Sequence, residues 1–145
     1  MKKIMFIVFL FLSLNNAYAE LIFQEVKCPD NKNALRDTCG LPESAYTNTA
    51  DFNESYKIFL KDLCSNKADS YFNSFCKNVL KELPKVNKKV IYDTVFQEKL
   101  YINYEISAEK ITIHLESPCS DGDYFVFTKE NNKIKILKTT YSCWT

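Results

Sequence analysis

Six cysteines, Cys28, Cys39, Cys64, Cys76, Cys119 and Cys143, carry the most evident chemistry in this sequence. An even count with no Cys-x-x-Cys pair argues against a zinc ribbon or a thioredoxin-like redox site, and for three disulfides formed in an oxidising compartment. His114 is the only histidine. It cannot build a multi-histidine metal site, and no carboxylate at a recognisable spacing completes a hydrolytic triad with it. Asp121 and Asp123 flank Gly122, but two carboxylates fall short of the oxygen ligands calcium takes, so the triplet reads as a turn. With only two glycines in the chain, no glycine-rich phosphate loop and no Gly-x-Ser-x-Gly nucleophile elbow can form. Glu105 and Glu116 are the one carboxylate pair expected to share a strand face, and both read as solvent-facing. No catalytic residue, metal or cofactor is therefore expected.

The elements that place these residues follow from hydrophobic period. Residues 20–50, with Cys28, Pro29, Cys39, Gly40 and Pro42 among scattered polar side chains, show no sustained period and predict an irregular arm tied down by disulfides. Asp51 followed by Glu54 fits an N-terminal cap, after which Phe52, Tyr56, Phe59, Leu60 and Leu63 recur at helical spacing and predict a helix ending near Cys64. Phe72, Phe75, Cys76, Val79, Leu80 and Leu83 predict a second helix that Pro84 ends, so that 51–83 is helical. From residue 90 onward the period falls to two. Ile102, Tyr104 and Ile106 alternate with Asn103 and Glu105, and Ile111, Ile113 and Leu115 alternate with Thr112 and His114. A turn at Ala108-Glu109 sets Ile106 opposite Ile111, Tyr104 opposite Ile113 and Ile102 opposite Leu115, leaving one face uniformly apolar.

A further hairpin is predicted from strands 124–129 and 133–143 around Glu130-Asn131-Asn132, with Phe127 against Ile134, Phe125 against Ile136 and Tyr124 against Leu137. The same register brings Cys119 opposite Ser142, next to Cys143, and Cys119–Cys143 is the one pairing expected. The fold class is α+β: two N-terminal helices packed on a four- to five-stranded antiparallel meander (90–143), stapled by disulfides, with residues 90–96 either a fifth strand or a link.

Residues 1–19 have the layout of a cleavable signal peptide, with Lys2 and Lys3, an apolar stretch over residues 4–14, and small residues Ala17 and Ala19. That stretch is shorter than the roughly 20 residues that span a bilayer, so no stable membrane anchor is expected after cleavage. The remaining 20–145 form one expected domain with 17 basic and 18 acidic side chains. Near-neutral charge gives no field for steering polyanions, which argues against nucleic acid. The compact signal and the eighteen lysines against a single arginine, Arg36, suggest a bacterial, periplasmic (or secreted) protein.

Nine tyrosines and eleven phenylalanines make the chain rich in aromatics. Most phenylalanines fit core positions, but Tyr101, Tyr124, Val126 and Leu137 fall on the sheet face away from the helices, beside His114 and Lys135. Such a half-apolar outer face implies a surface for another protein of the cell envelope, unless the N-terminal arm covers it. In size and layout the chain resembles small periplasmic inhibitors and immunity proteins, which implies a non-enzymatic binding role. Over about its last eighty residues, the helix-then-meander order ending in the 131–136 hairpin is also similar to NTF2-like domains. That resemblance implies a small-molecule pocket between helices and a curved sheet, although the inward positions here are nearly all Ile, Leu, Phe and Tyr. A structural envelope component is the remaining expectation.

Overall fold

The computed structural model of the chain describes residues 21–26, 42–65, 70–93, 99–116 and 122–141, the side chains of 70–72 and 141 excepted. Seven strands and two helices follow the order β1 (Gln24–Glu25), β2 (Glu43–Tyr46), α1 (Phe52–Ser65), α2 (Ser70–Asn78), β3 (Lys88–Asp93), β4 (Lys99–Ile106), β5 (Lys110–Glu116), β6 (Gly122–Glu130) and β7 (Lys133–Tyr141). The strands form one antiparallel sheet in the order β1-β2-β7-β6-β5-β4-β3.

α1 begins where the sequence predicts. Asp51 Oδ1 accepts the Glu54 amide at 2.8 Å, satisfying one of the free N–H groups of the first turn. Tyr56, Phe59 and Leu60 turn to the sheet and are buried. α2 is shorter than its apolar period implies. Its ladder gives out after Asn78 because the backbone at Leu80 bonds elsewhere: the Leu80 amide donates to Tyr104 Oη at 3.2 Å, and its carbonyl accepts from Tyr56 Oη at 2.6 Å. Side chains cover the freed carbonyls, Asn78 Nδ2 donating to Ser74 and Lys81 Nζ to Cys76. The helices are joined by a Cys64–Cys76 disulfide with Cα atoms 5.7 Å apart. Cys28, Cys39, Cys119 and Cys143 lie outside the described residues.

The sheet is larger than the sequence implies, and the helices are not N-terminal. Part of the stretch expected to be an irregular arm supplies β1 and β2, which precede α1 and extend the sheet beyond β7. Ala45 of β2 lies opposite Ile136 and is 1% exposed, while Thr47 N donates to Ile134 O and Ile134 N to Thr49 O. A four-residue strand with one buried side chain has almost no period to read. What forms it is the open side of β7, whose peptide groups need partners. The stretch 90–96, left between strand and link, contributes a fifth meander strand, since Val90, Ile91 and Tyr92 of β3 pair with Ile102, Tyr101 and Leu100.

The β4–β5 register is the expected one, with Ile106↔Ile111, Tyr104↔Ile113 and Ile102↔Leu115. The β6–β7 register differs by two residues: Phe127 faces Ile136, Phe125 faces Lys138 and Val126 faces Leu137. The two-residue turn is Asn131-Asn132, one residue later than the Phe127–Ile134 register implies, and Asn131 takes a positive φ of 56°, a left-handed conformation asparagine tolerates. A slip of two keeps every side chain on its predicted face. Both cysteines of the expected Cys119–Cys143 pair lie outside the described residues.

The inner face packs Ile102, Tyr104, Ile113, Phe125, Phe127 and Ile136 under Tyr56, Phe59 and Phe75, all at 2% exposure or less. The Phe59 ring sits 4.8 Å from Phe125 and 5.3 Å from Phe127, centroid to centroid, the second contact edge-on. Leu80 and Leu83, which the helical period places in the core, are only partly buried. Replacing Phe59 or Ile113 by Ala should lower unfolding stability by about 3–5 and about 2–5 kcal/mol respectively, the loss expected for large-to-small changes in a packed core. Denaturant titration checks this, and a Phe59→Ala loss below about 1 kcal/mol would contradict the packing described.

Candidate functional site

With both helices on the inner face, the outer face of the sheet is built from the alternate residues of the same strands. Cross-strand pairing sorts them into rows. One runs Thr139–Tyr124–His114–Asn103–Lys89 across β7, β6, β5, β4 and β3. On one side lies Glu116–Tyr101–Ile91, and on the other Ser44–Leu137–Val126–Thr112–Glu105. A further row, Tyr46–Lys135–Thr128–Lys110, lies toward the hairpin turns.

The centre is a parallel stack of His114 on Tyr124, with ring centroids 3.8 Å apart and planes within 10°. Cross-strand neighbours on a pleated face stand close enough for this. Next to it, Asn103 Nδ2 donates to Glu116 Oε2 at 2.9 Å, and Lys89 Nζ sits 4.1 Å above the Tyr101 ring, a cation–π contact. Tyr101, His114, Tyr124, Val126 and Leu137 are all partly exposed, and Ile91 is 58% exposed. Among the described residues, no helix or strand packs on this face.

Four residues of this face are the ones the sequence singles out. The structure joins His114 and Tyr124 in one stack and sets Tyr101 in the adjoining row. Lys135 shares the face but belongs to another group: it pairs with Glu130 at 3.3 Å, lies 5.8 Å from the Tyr46 ring, and Tyr46 Oη donates to Glu130. The bond to Glu130 holds the Lys135 ammonium above its ordinary pKa. Ile91 and Lys89 are the neighbours on this face that the sequence does not point to. Ile91 hides because Val90-Ile91-Tyr92 are three consecutive apolar residues, in which no alternation shows.

Burial is the largest influence on His114 and pushes its pKa below 6.5. Glu116 and Glu105 pull it back up, and Lys89 pushes it down further. The ring is therefore neutral at pH 7, and the centre of the face carries no charge there. Burial, with Glu116 and Glu105 adding to it, raises the Tyr124 phenol. Glu105 and Glu116 share the face, as expected, on either side of the His114 row. Among the described residues, no group of three or more His, Cys, Asp or Glu could hold a metal ion. Asp123, expected in a loop, is a buried β6 residue that accepts from Thr140 Oγ1 at 2.6 Å, and Asp121 lies outside the described residues.

Two concave features adjoin these elements. A shallow depression of about 310 Å³ lies over β3, β4 and β5, lined by His114, Asn103, Lys89 and Glu105 among others. A larger cleft of about 580 Å³ opens on the other side, between the start of α1 and the β4–β5 turn, with Phe52, Leu83, Pro84, Ile106 and Ile111 in its wall. Between helices and sheet, Tyr56, Phe59, Phe75, Phe125 and Phe127 are buried in one cluster. Comparison of the chain with known protein families, with curated proteins and with solved structures finds no match.

A histidine held below 6.5 in the fold but titrating normally when unfolded makes the unfolded state bind more protons as pH falls, so stability is fully present above that value and declines below it. The unfolding midpoint should therefore drop between about pH 7.5 and pH 5, and His114→Gln should flatten that part of the profile. An unchanged slope in the variant would contradict this.

Proposed function

We propose that the chain is a non-enzymatic protein-binding module of the cell envelope, of inhibitor or immunity type, which takes a folded partner on its outer sheet face. The observation that carries this reading is the partly exposed patch of Tyr101 and Ile91 in one row and His114 and Tyr124 in the next, on strands whose opposite side is anchored by the core. Aromatic rings fixed by stacking and by strand backbone lose little freedom on binding, which is what makes tyrosine effective at interface centres. Around them Lys89, Glu105, Lys110 and Lys135 give a polar rim, the usual anatomy of a recognition surface. The depression of about 310 Å³ on this face is shallow and open, which suits a protein better than a small ligand.

Compartment supports the same reading. The Cys64–Cys76 disulfide fits an extracellular or periplasmic location. No helix among the described residues is long and apolar enough to cross a membrane. A small domain held by a disulfide and binding through a rigid face has the layout of a small inhibitor. A small-molecule role would fall on the 580 Å³ cleft beside the β4–β5 turn and would leave the outer face without a task.

The double variant Tyr101→Ala/Tyr124→Ala separates these readings. Its melting temperature should stay within a few degrees of the parent, since neither ring fills the core. Affinity for the partner isolated with the parent protein should fall by about 2 kcal/mol or more, the size of a hot-spot loss. Undiminished affinity, or a variant that no longer folds, would contradict the proposal.

A further inference from the structure

The sheet ends in two edge strands of different character. β1 is two residues long, too short to template another strand. β3 has six residues, Lys88–Asp93, and among the described residues pairs on one side alone, with β4. An edge of that length offers a row of N–H and C=O groups to a further strand.

We infer that this edge pairs with the same edge of a second copy, giving a two-fold dimer with one sheet running through both chains. Two antiparallel edges related by a two-fold axis must have that axis normal to the sheet. Residues directly opposite each other share a face, so the axis must pass through a residue of β3. An axis at Lys89 or Asp93 would set like charges against each other, and one at Val90 or Tyr92 would set Ile91 against Lys89 or Asp93. With the axis at Ile91, positions 89, 90, 92 and 93 each meet a complement. Lys89 lies opposite Asp93 of the second copy, twice over, on the outer face. Ile91, 58% exposed in one chain, meets its own copy there, and Val90 meets Tyr92 on the inner face, extending the apolar cluster that both already join.

The side chains are prepared for this. Lys89 is held on the outer face by its contact with Tyr101, and among the described residues neither Lys89 nor Asp93 has an ion-pair partner. The exposed Ile91 is the apolar residue such pairing would cover. The same symmetry puts both outer faces on one side, so a dimer presents two His114–Tyr124 stacks side by side. This inference stands apart from the proposed function: a monomer could bind through its outer face, and a dimer could form without doing so.

Sedimentation velocity of the purified, disulfide-intact protein tests it. A six-residue edge buries less than a standard interface, so a reversible dimer is expected, populated at about 100 µM and dissociating on dilution toward about 1 µM. Asp93→Lys and Lys89→Asp each set two like-charged pairs across the axis and should weaken dimerisation at least about tenfold. The combined variant restores opposite charges and should return to within about threefold of the parent. Circular dichroism should show all three folded, since both positions are exposed. A monomer at about 100 µM, single variants that dimerise like the parent, or a combined variant no better than the single ones would overturn the inference.

Discussion

Two buried phenols fix how the rest of this molecule is arranged. Tyr56 on α1 and Tyr104 on β4 meet hydroxyl to hydroxyl at 3.1 Å, with their side chains sealed from water. A buried hydroxyl without a partner is costly, so each must be satisfied. The Leu80 backbone does this at both poles, its amide donating to Tyr104 and its carbonyl accepting from Tyr56. Burial drives both phenols above their ordinary pKa, and for Tyr56 the neighbouring Tyr104 raises it further. The pair thus stays protonated across the physiological range. Three elements distant in sequence are pinned at one point, and α2 gives up its last turn to make this possible.

From that pin the division of labour between the two sheet faces follows. The helices can occupy only the inner face, where Phe59 docks on Phe125 and Phe127, and the Cys64–Cys76 bridge holds α2 to α1 there. The outer residues of the same strands are relieved of core duty. Position by position, one side chain supports the fold and the next is presented outward, as Ile113 lies in the core while His114 stacks on Tyr124. Side chains on the outer face inherit the stiffness of the core beneath them without being part of it.

Side-chain parity is the part of the structure most legible in the sequence, because a period of two survives errors that move other features. It gave the whole β4–β5 register and put Asn103 opposite His114. It also kept Phe125, Phe127 and Ile136 on the correct face although the hairpin register was off by two. The turn falls on Asn131-Asn132, with Asn131 in a left-handed conformation that leaves no mark on hydrophobic period. α2 was read too long for a related reason: Val79, Leu80 and Leu83 keep helical spacing, while the tyrosine hydroxyls that divert the backbone lie 24 residues away on either side. β2 was illegible because a single alanine carries its burial. At the site, Tyr101, His114 and Tyr124 follow from alternation alone. Their company of Lys89 and Ile91 needs the pairing of β3, whose three consecutive apolar residues conceal which one faces out.

The central claim is that binding belongs to the face the helices leave uncovered. Site-specific photocrosslinking in the native host tests this most directly, with a photoreactive phenylalanine analogue placed at Tyr101 on the outer face or at Asn53 on the exposed side of α1. The account predicts a discrete adduct of chain and partner from position 101 and none from position 53. An adduct from position 53 alone, or no adduct from position 101, would contradict it.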